Sequence, residues 1–181
     1  MKFFRLKQKP EPPTLKVTIR HLRKTDLPAL EWNGEYTHFR RMYADTYRNA
    51  TLGRTVLWIA EVLDVGVIGQ VFIQLHSSRP ELADGFTRAY LFGFRIQPPY
   101  RNKGIGSRMM DTVEEDLIER GYLRITLNVA KDNPEARRLY ERRGYQVVAE
   151  EPGQWSYVDH EGVRREVNEP SWRMEKELVV D

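Results

Sequence analysis

The chain has no cysteine, only four histidines, no long apolar run and little net charge, and each shortage narrows what it can be. Without cysteine there are no disulfides, no thiolate metal ligands and no cysteine nucleophile, while the redox compartment stays open. His21, His38, His76 and His160 show no HxxxH-type pairing, so no metal site is expected. The basic segment from Met1 to Lys9 has only Phe3, Phe4 and Leu6 as apolar residues, too few for a signal-peptide core, and no later stretch could span a bilayer. A cytoplasmic protein with no membrane partner is the expectation. The formal net charge is only +3 because acidic residues nearly balance 29 Lys+Arg. The densest basic cluster, Arg137-Arg138 with Arg142-Arg143, reads as a solvated helix face, and no nucleic-acid partner is expected. A Gly-x-Ser-x-Gly elbow is also missing, as are internal repeats.

What is present suits one globular domain: 181 residues, 40% of them hydrophobic. Pro10, Pro12 and Pro13 mark residues 1–14 as an extended N-terminal arm, leaving 15–181 as the domain. Val17 to Arg20 reads as a short strand, and Thr25-Asp26-Leu27-Pro28 as a capped helix start running to about Trp32, broken by Asn33-Gly34. Tyr36 to Asn49 is a second helix, with Phe39, Met42, Tyr43 and Tyr47 on one face. Thr55 to Leu63 and Val67 to Leu75 form a strand pair around Asp64-Val65-Gly66, and Arg88 to Gln97 is the next strand. Ile105, Met109, Val113 and Leu117 then recur at four-residue steps in a helix over about Gly104 to Arg120. The tail holds Val147 to Glu151, a hairpin from Tyr157 to Glu166 turning at Asp159 to Gly162, and a last strand around Trp172 to Leu178. These elements predict an α+β fold, its central sheet mixed but mainly antiparallel, with helices on both faces.

Between strand and helix stands Arg101-Asn102-Lys103-Gly104-Ile105-Gly106. A helix start offers backbone N–H groups without intrahelical partners and the positive end of the dipole, which together suit a phosphate. Gly104 and Gly106 let the backbone come close to such an anion, and Arg101 and Lys103 supply countercharge. Two familiar phosphate loops do not fit. The dinucleotide fingerprint needs a glycine where Met109 stands, and Gly106-Ser107-Arg108 lacks the Lys-Ser/Thr of a P-loop. On its own the run is equally a plain strand-to-helix turn.

A second segment follows about thirty residues on. Ile125, Leu127 and Val129 alternate in a strand, Asn133 caps and Pro134 opens a helix, and Gly144 stops it. Asn133, Ala136, Tyr140 and Arg143 share one face of that helix. With both segments in order and at the usual separation, the chain resembles the GCN5-related N-acetyltransferase (GNAT) superfamily. Its pattern is Arg/Gln-x-x-Gly-x-Gly/Ala after a strand, then Asn-x-x-Ala-x-x-x-Tyr before a Gly-aromatic pair. The motif match covers Leu91 to Val147, and a looser likeness in element order covers about residues 15 to 180. One departure is Asn102, where many members carry glycine.

The resemblance implies acetyl-coenzyme A as co-substrate, wedged between two parallel strands that splay apart, and transfer to a primary amine by direct attack in a ternary complex. It places Phe94, Arg95 and Ile96 by backbone against the pantetheine arm and acetyl carbonyl. Arg101, Asn102, Lys103, Gly104, Ile105, Gly106 and Ser107 hold the pyrophosphate, and Asn133, Ala136, Tyr140 and Arg143 complete the cofactor side. Tyr140 is the expected general acid for the departing thiolate, with an aromatic anchor as the alternative. No base is named by the residues: Glu35, Glu61, His76 and Asp84 are each open, and each has an ordinary structural reading. Trp32, Tyr36, Trp155 and Tyr157 either line an acceptor pocket or belong to the core. The acceptor is an amine of a small molecule or a protein, and a homodimer is left open. Two other readings stand beside the enzyme: a non-catalytic acyl-coenzyme A-binding regulator, and a protein-interaction module on the same fold.

Overall fold

The computed structural model describes residues 15–179, so the arm assigned to 1–14 lies outside the described residues. Nine strands are described: β1 (Val17–His21), β2 (Thr55–Val62), β3 (Gly66–Gln74), β4 (Arg88–Ile96), β5 (Arg124–Ala130), β6 (Gln146–Glu151), β7 (Gln154–Val158), β8 (Arg164–Asn168) and β9 (Ser171–Glu177). Seven of them form one sheet in the order β1-β2-β3-β4-β5-β9-β6, while β7 and β8 make a separate two-stranded hairpin. Within the large sheet every neighbouring pair is antiparallel except β4 and β5. The mixed, mainly antiparallel α+β fold is therefore as the sequence predicts.

Among the described residues three α-helices pack on it: α1 (Arg40–Thr51), α2 (Ile105–Glu119) and α3 (Pro134–Arg142). The four-residue stripe of α2 is the reason it sits where it does. Ile105, Met109, Val113 and Leu117 are all buried in one cluster with Val56 and Ala60 of β2, Val71 and Ile73 of β3, Ala89 and Leu91 of β4, and Ile125 and Leu127 of β5. Strand alternation sends the intervening side chains to the other face. There Leu57, Ile59 and Phe72 meet Leu30, Phe39 and Tyr43, so helical segments cover both faces.

Two local expectations need correction. Lys24–Gly34 is a 3-10 run rather than an α-helix, and it kinks at Trp32 and Asn33, where φ is 45° and 57°. Pro28 removes one backbone donor from the run, and the Asp26 side chain accepts the Arg23 N–H at 2.7 Å. The second helix also starts late, because Thr37–Phe39 is a 3-10 turn and α1 begins only at Arg40. The start of α3 is as the sequence predicts: the Asn133 side chain accepts the Ala136 N–H at 3.2 Å, and Gly144 leaves the helix at φ 90°.

Candidate active site

The parallel strands β4 and β5 stay together for only four residue pairs, Arg88 with Arg124 through Leu91 with Leu127, and then part. A bulge drives the parting. Phe72 of β3 faces Phe92, yet Gln70 faces Arg95, so β4 carries one extra residue over that span. Gly93 supplies it at φ 61°, and a Cβ there would lie 2.7 Å from the Phe72 ring. The buried Gln70 side chain fixes the kink by donating from Nε2 to the Gly93 carbonyl at 3.2 Å. Past Leu91, β4 therefore keeps its ladder to β3 and leaves its other backbone edge unpaired toward β5. Phe94, Arg95 and Ile96 all lie on that stretch. Asn128, the first β5 residue beyond the last pair, has a buried Oδ1 with no hydrogen-bond partner among the described residues.

The glycine loop closes one end of this gap. Asn102 and Gly104 adopt left-handed φ values of 58° and 78°. Asparagine tolerates that region better than most residues, which accounts for a residue other than glycine at position 102. Arg101 donates from Nε to the Ile96 carbonyl at 2.8 Å and so ties the loop to the end of β4. Arg101, Asn102, Lys103 and Gly104 are exposed, Ile105 is buried, and Gly106 and Ser107 are half-buried. The bond from the Arg108 N–H to Gly104 O leaves the N–H groups of Ile105, Gly106 and Ser107 without an intrahelical acceptor. A Cβ on Gly106 would lie 3.3 Å from Ile96 and 3.5 Å from Phe94, so even a methyl group would press on the Ile96 side chain, and a larger side chain would fill the floor between α2 and β4. Unpaired strand edge, bare helix start and orphaned Asn128 acceptor together fit an extended amide-bearing diphosphate.

On α3, Tyr140 is buried, with its ring edge-on to Tyr145 at 5.7 Å. Burial, reinforced by nearby Tyr90, pushes its phenol well above the ordinary value, so the hydroxyl keeps its proton. Ala136 is half-buried and packs on the core, and Asn133 is exposed with its side chain engaged as a cap. Arg143 goes elsewhere. Its guanidinium reaches Asp111 at 2.6 Å, Glu114 at 3.4 Å and the Ser107 carbonyl at 3.4 Å, joining α3 to α2 instead of adding charge beside Arg101 and Lys103.

A groove of about 640 Å³ opens beside the gap. Tyr36, His38 and Phe39 form one wall, and Trp155 and Tyr157 of the hairpin another. Arg95 belongs to both places: its backbone lies on the parted strand, while its side chain enters the groove. The guanidinium sits 4.2 Å above the Tyr36 ring and donates to the Tyr43 hydroxyl at 2.9 Å. Tyr36, Trp155 and Tyr157 thus reach the groove, whereas Trp32 stands behind Tyr36, edge-on at 5.0 Å. The four sequence candidates for a base do not line it. Glu35 is exposed on the surface. Glu61 is bound to Arg20 at 2.8 Å, which holds its carboxyl below the usual range. His76 and Asp84 bridge each other in the β3–β4 connection. Burial alone would raise Asp84, but the N–H groups of Arg88 and Phe86 and both donors of Thr87 outweigh it and hold the carboxylate ionised. Gln70 and Asn128 are absent from the sequence candidates, and His38 stands among them only as a histidine without metal-type pairing. Glycine inside an apolar strand is a legible sign of the bulge, and Gln70, flanked by apolar residues in the β3 run, a weaker one.

The acetyltransferase (GNAT) family model matches residues 18–145. An uncharacterized N-acetyltransferase of Bacillus subtilis, YycN, is 26% identical over 90 residues, which is 50% of this chain and 54% of that protein. The match thus spans about half the length of this curated relative. Among solved structures, the ribosomal-protein-S18-alanine N-acetyltransferase of Escherichia coli superposes with a TM-score of 0.68 at 19% identity, covering 92% of this chain and 96% of that one. Ard1 of Thermoplasma volcanium gives 0.69 at 20%, covering 91% and 99%. Spermidine/spermine N-acetyltransferase SpeG of Vibrio cholerae gives 0.66 at 18%, covering 90% and 92%. At these identities the structural likeness is one of fold, and the match over residues 18–145 adds the sequence: the chain belongs to the GNAT acetyltransferase family.

Proposed function

We propose that this protein transfers an acetyl group from acetyl-coenzyme A to a primary amine by direct attack, with both substrates bound together. Residues 15–181 form the domain in this reading, with 1–14 as an arm. Enzymes of the family use acetyl-coenzyme A as co-substrate, and its thioester supplies the activated acetyl group. The observation that carries the proposal is the parting of β4 and β5 after Leu91 and Leu127, between a bare helix start on one side and an aromatic groove on the other.

The residues divide the work. The free edge of Phe94, Arg95 and Ile96 pairs with the amides of the pantetheine arm, as an added strand would, and so fixes the reacting carbon. Main-chain N–H groups from Ile105 to Ser107, with Arg101 and Lys103 nearby, hold the diphosphate. Asn133, Ala136 and Arg143 shape and brace the α3 side. Tyr140 keeps its proton until charge develops on the departing sulfur. The groove holds the amine.

The test is coenzyme A release, read as free thiol, over a broad set of amines, beside calorimetric binding. Release with at least one amine, and loss of coenzyme A affinity in folded Gly106→Trp, are expected. Tight cofactor binding without turnover on any amine would instead mark a regulator, and a folded protein that binds no coenzyme A an interaction module.

A further inference from the structure

Attack on a thioester needs a nitrogen lone pair, yet an aliphatic amine is a cation at neutral pH, with a value near that of lysine. Some group in the groove has to take a proton. Arg95 and Lys131 offer only donors, and Tyr36 and Tyr157 offer phenols, which donate more readily than they accept. Asp132 and Glu169 are exposed to solvent at the rim of the groove. One imidazole is left among the groove residues.

We infer that His38 is the general base of the transfer, an assignment that rests on the acetyltransferase reading. Its ring is held by aromatics from two separate elements: 4.2 Å from Phe39 and 6.0 Å from Tyr36 on its own segment, and 6.0 Å from Tyr157 on β7. The charged and titratable groups that face it come from three directions. Arg95 approaches from β4, Asp159 and His160 from the turn between β7 and β8, and Tyr36 and Tyr157 from the walls. Burial lowers the imidazolium first, Arg95 and His160 lower it further, and Asp159 only partly opposes them. The ring is consequently neutral and able to accept at physiological pH. Arg95 acts on the amine in the same sense, since a fixed cation in the groove disfavours a second one beside it.

The step balances. The nitrogen lone pair forms the C–N bond at the thioester carbon, and the C–S bond breaks with its electron pair passing to sulfur. Of the two protons that the ammonium gives up, one ends on sulfur, delivered by Tyr140, and the other passes through His38 to water.

The test compares kcat/KM against pH for wild type, His38→Gln and Arg95→Gln, using an aliphatic amine and an arylamine whose nitrogen is unprotonated at pH 7. Wild type should show an acid limb with its midpoint below 6.5. His38→Gln should abolish that limb and lower the aliphatic rate roughly 10²-fold, with a far smaller loss on the arylamine and unchanged coenzyme A affinity. In Arg95→Gln the limb should move toward higher pH. A persisting limb in His38→Gln, or equal losses on both amines, would overturn the assignment and make the residue a packing one. Wild-type protein that acetylates no amine would fail the parent reading as well, and that result is separable because it appears before any variant is made.

Discussion

At the residue scale the site depends on side chains whose surroundings hold them in one protonation state or one backbone shape. Tyr140→Phe retains the ring against Tyr145 and removes only the hydroxyl. We expect kcat to fall about 10²-fold with coenzyme A affinity little changed, and an acyl donor whose leaving group needs no proton to be much less affected. Equal slowing of both donors would make Tyr140 an orienting group. Gly93 is the complementary case, a residue defined by what it lacks. Gly93→Ala must occupy a left-handed conformation, costing about 1–2 kcal/mol, and also push the Phe72 ring aside. Urea unfolding should register the loss, and coenzyme A affinity should fall with it, because the bulge sets the width of the gap. Undiminished stability and affinity would mean that the extra residue can be housed without glycine. Gly93 was visible in the sequence as a glycine within an apolar run, but its partner Phe72 was not, since register is a property of two strands and no local pattern encodes it.

At the element scale the hairpin of β7 and β8 is held by one buried carboxylate. Asp159 accepts the N–H groups of Glu161 and Val163 at 2.9 Å each and the Arg165 guanidinium at 2.8 Å. The Val163 N–H and Arg165 lead in lowering its value to about 2. A carboxyl depressed in the folded state stabilises above its unfolded value, near 3.9, and that contribution disappears as pH falls toward 2. Amide signals of Glu161 and Val163 should therefore shift between pH 4 and 2 in wild type and not in Asp159→Asn; identical behaviour would detach the turn from this carboxylate. The turn itself was legible in Asp159 to Gly162, as were the start and stop of α3, because capping and left-handed glycine are local devices. The 3-10 run from Lys24 to Gly34 was not, because Thr25-Asp26-Leu27-Pro28 suits the start of either kind of helix, and the left-handed kink at Trp32 and Asn33 has no local sign. The base candidates failed for a different reason. Glu61 and Asp84 have the right chemistry, and only the fold discloses that Arg20 and a set of backbone donors have already claimed them.

For the whole molecule, burial of phenols sets an alkaline limit. Tyr90 is pushed up to about 12, and Tyr140 and Tyr145 higher still, in each case chiefly by burial. Unfolded phenols ionise near 10, so the stabilisation is complete below that pH and is lost as pH rises above it, by about 1.4 kcal/mol per phenol at pH 11. Urea midpoints at pH 9 and 11 should differ accordingly, with a smaller difference in Tyr90→Phe; equal differences in the two proteins would exclude Tyr90 as a contributor. The separateness of the β7–β8 hairpin has a consequence of another kind. It supplies Trp155 and Tyr157 to the groove, yet among the described residues it shares no strand pairing with the large sheet that carries the parted β4 and β5. Substitutions confined to the fifteen residues Gln154–Asn168 would therefore reshape one wall of the groove while leaving the parted strands and the glycine loop as they are.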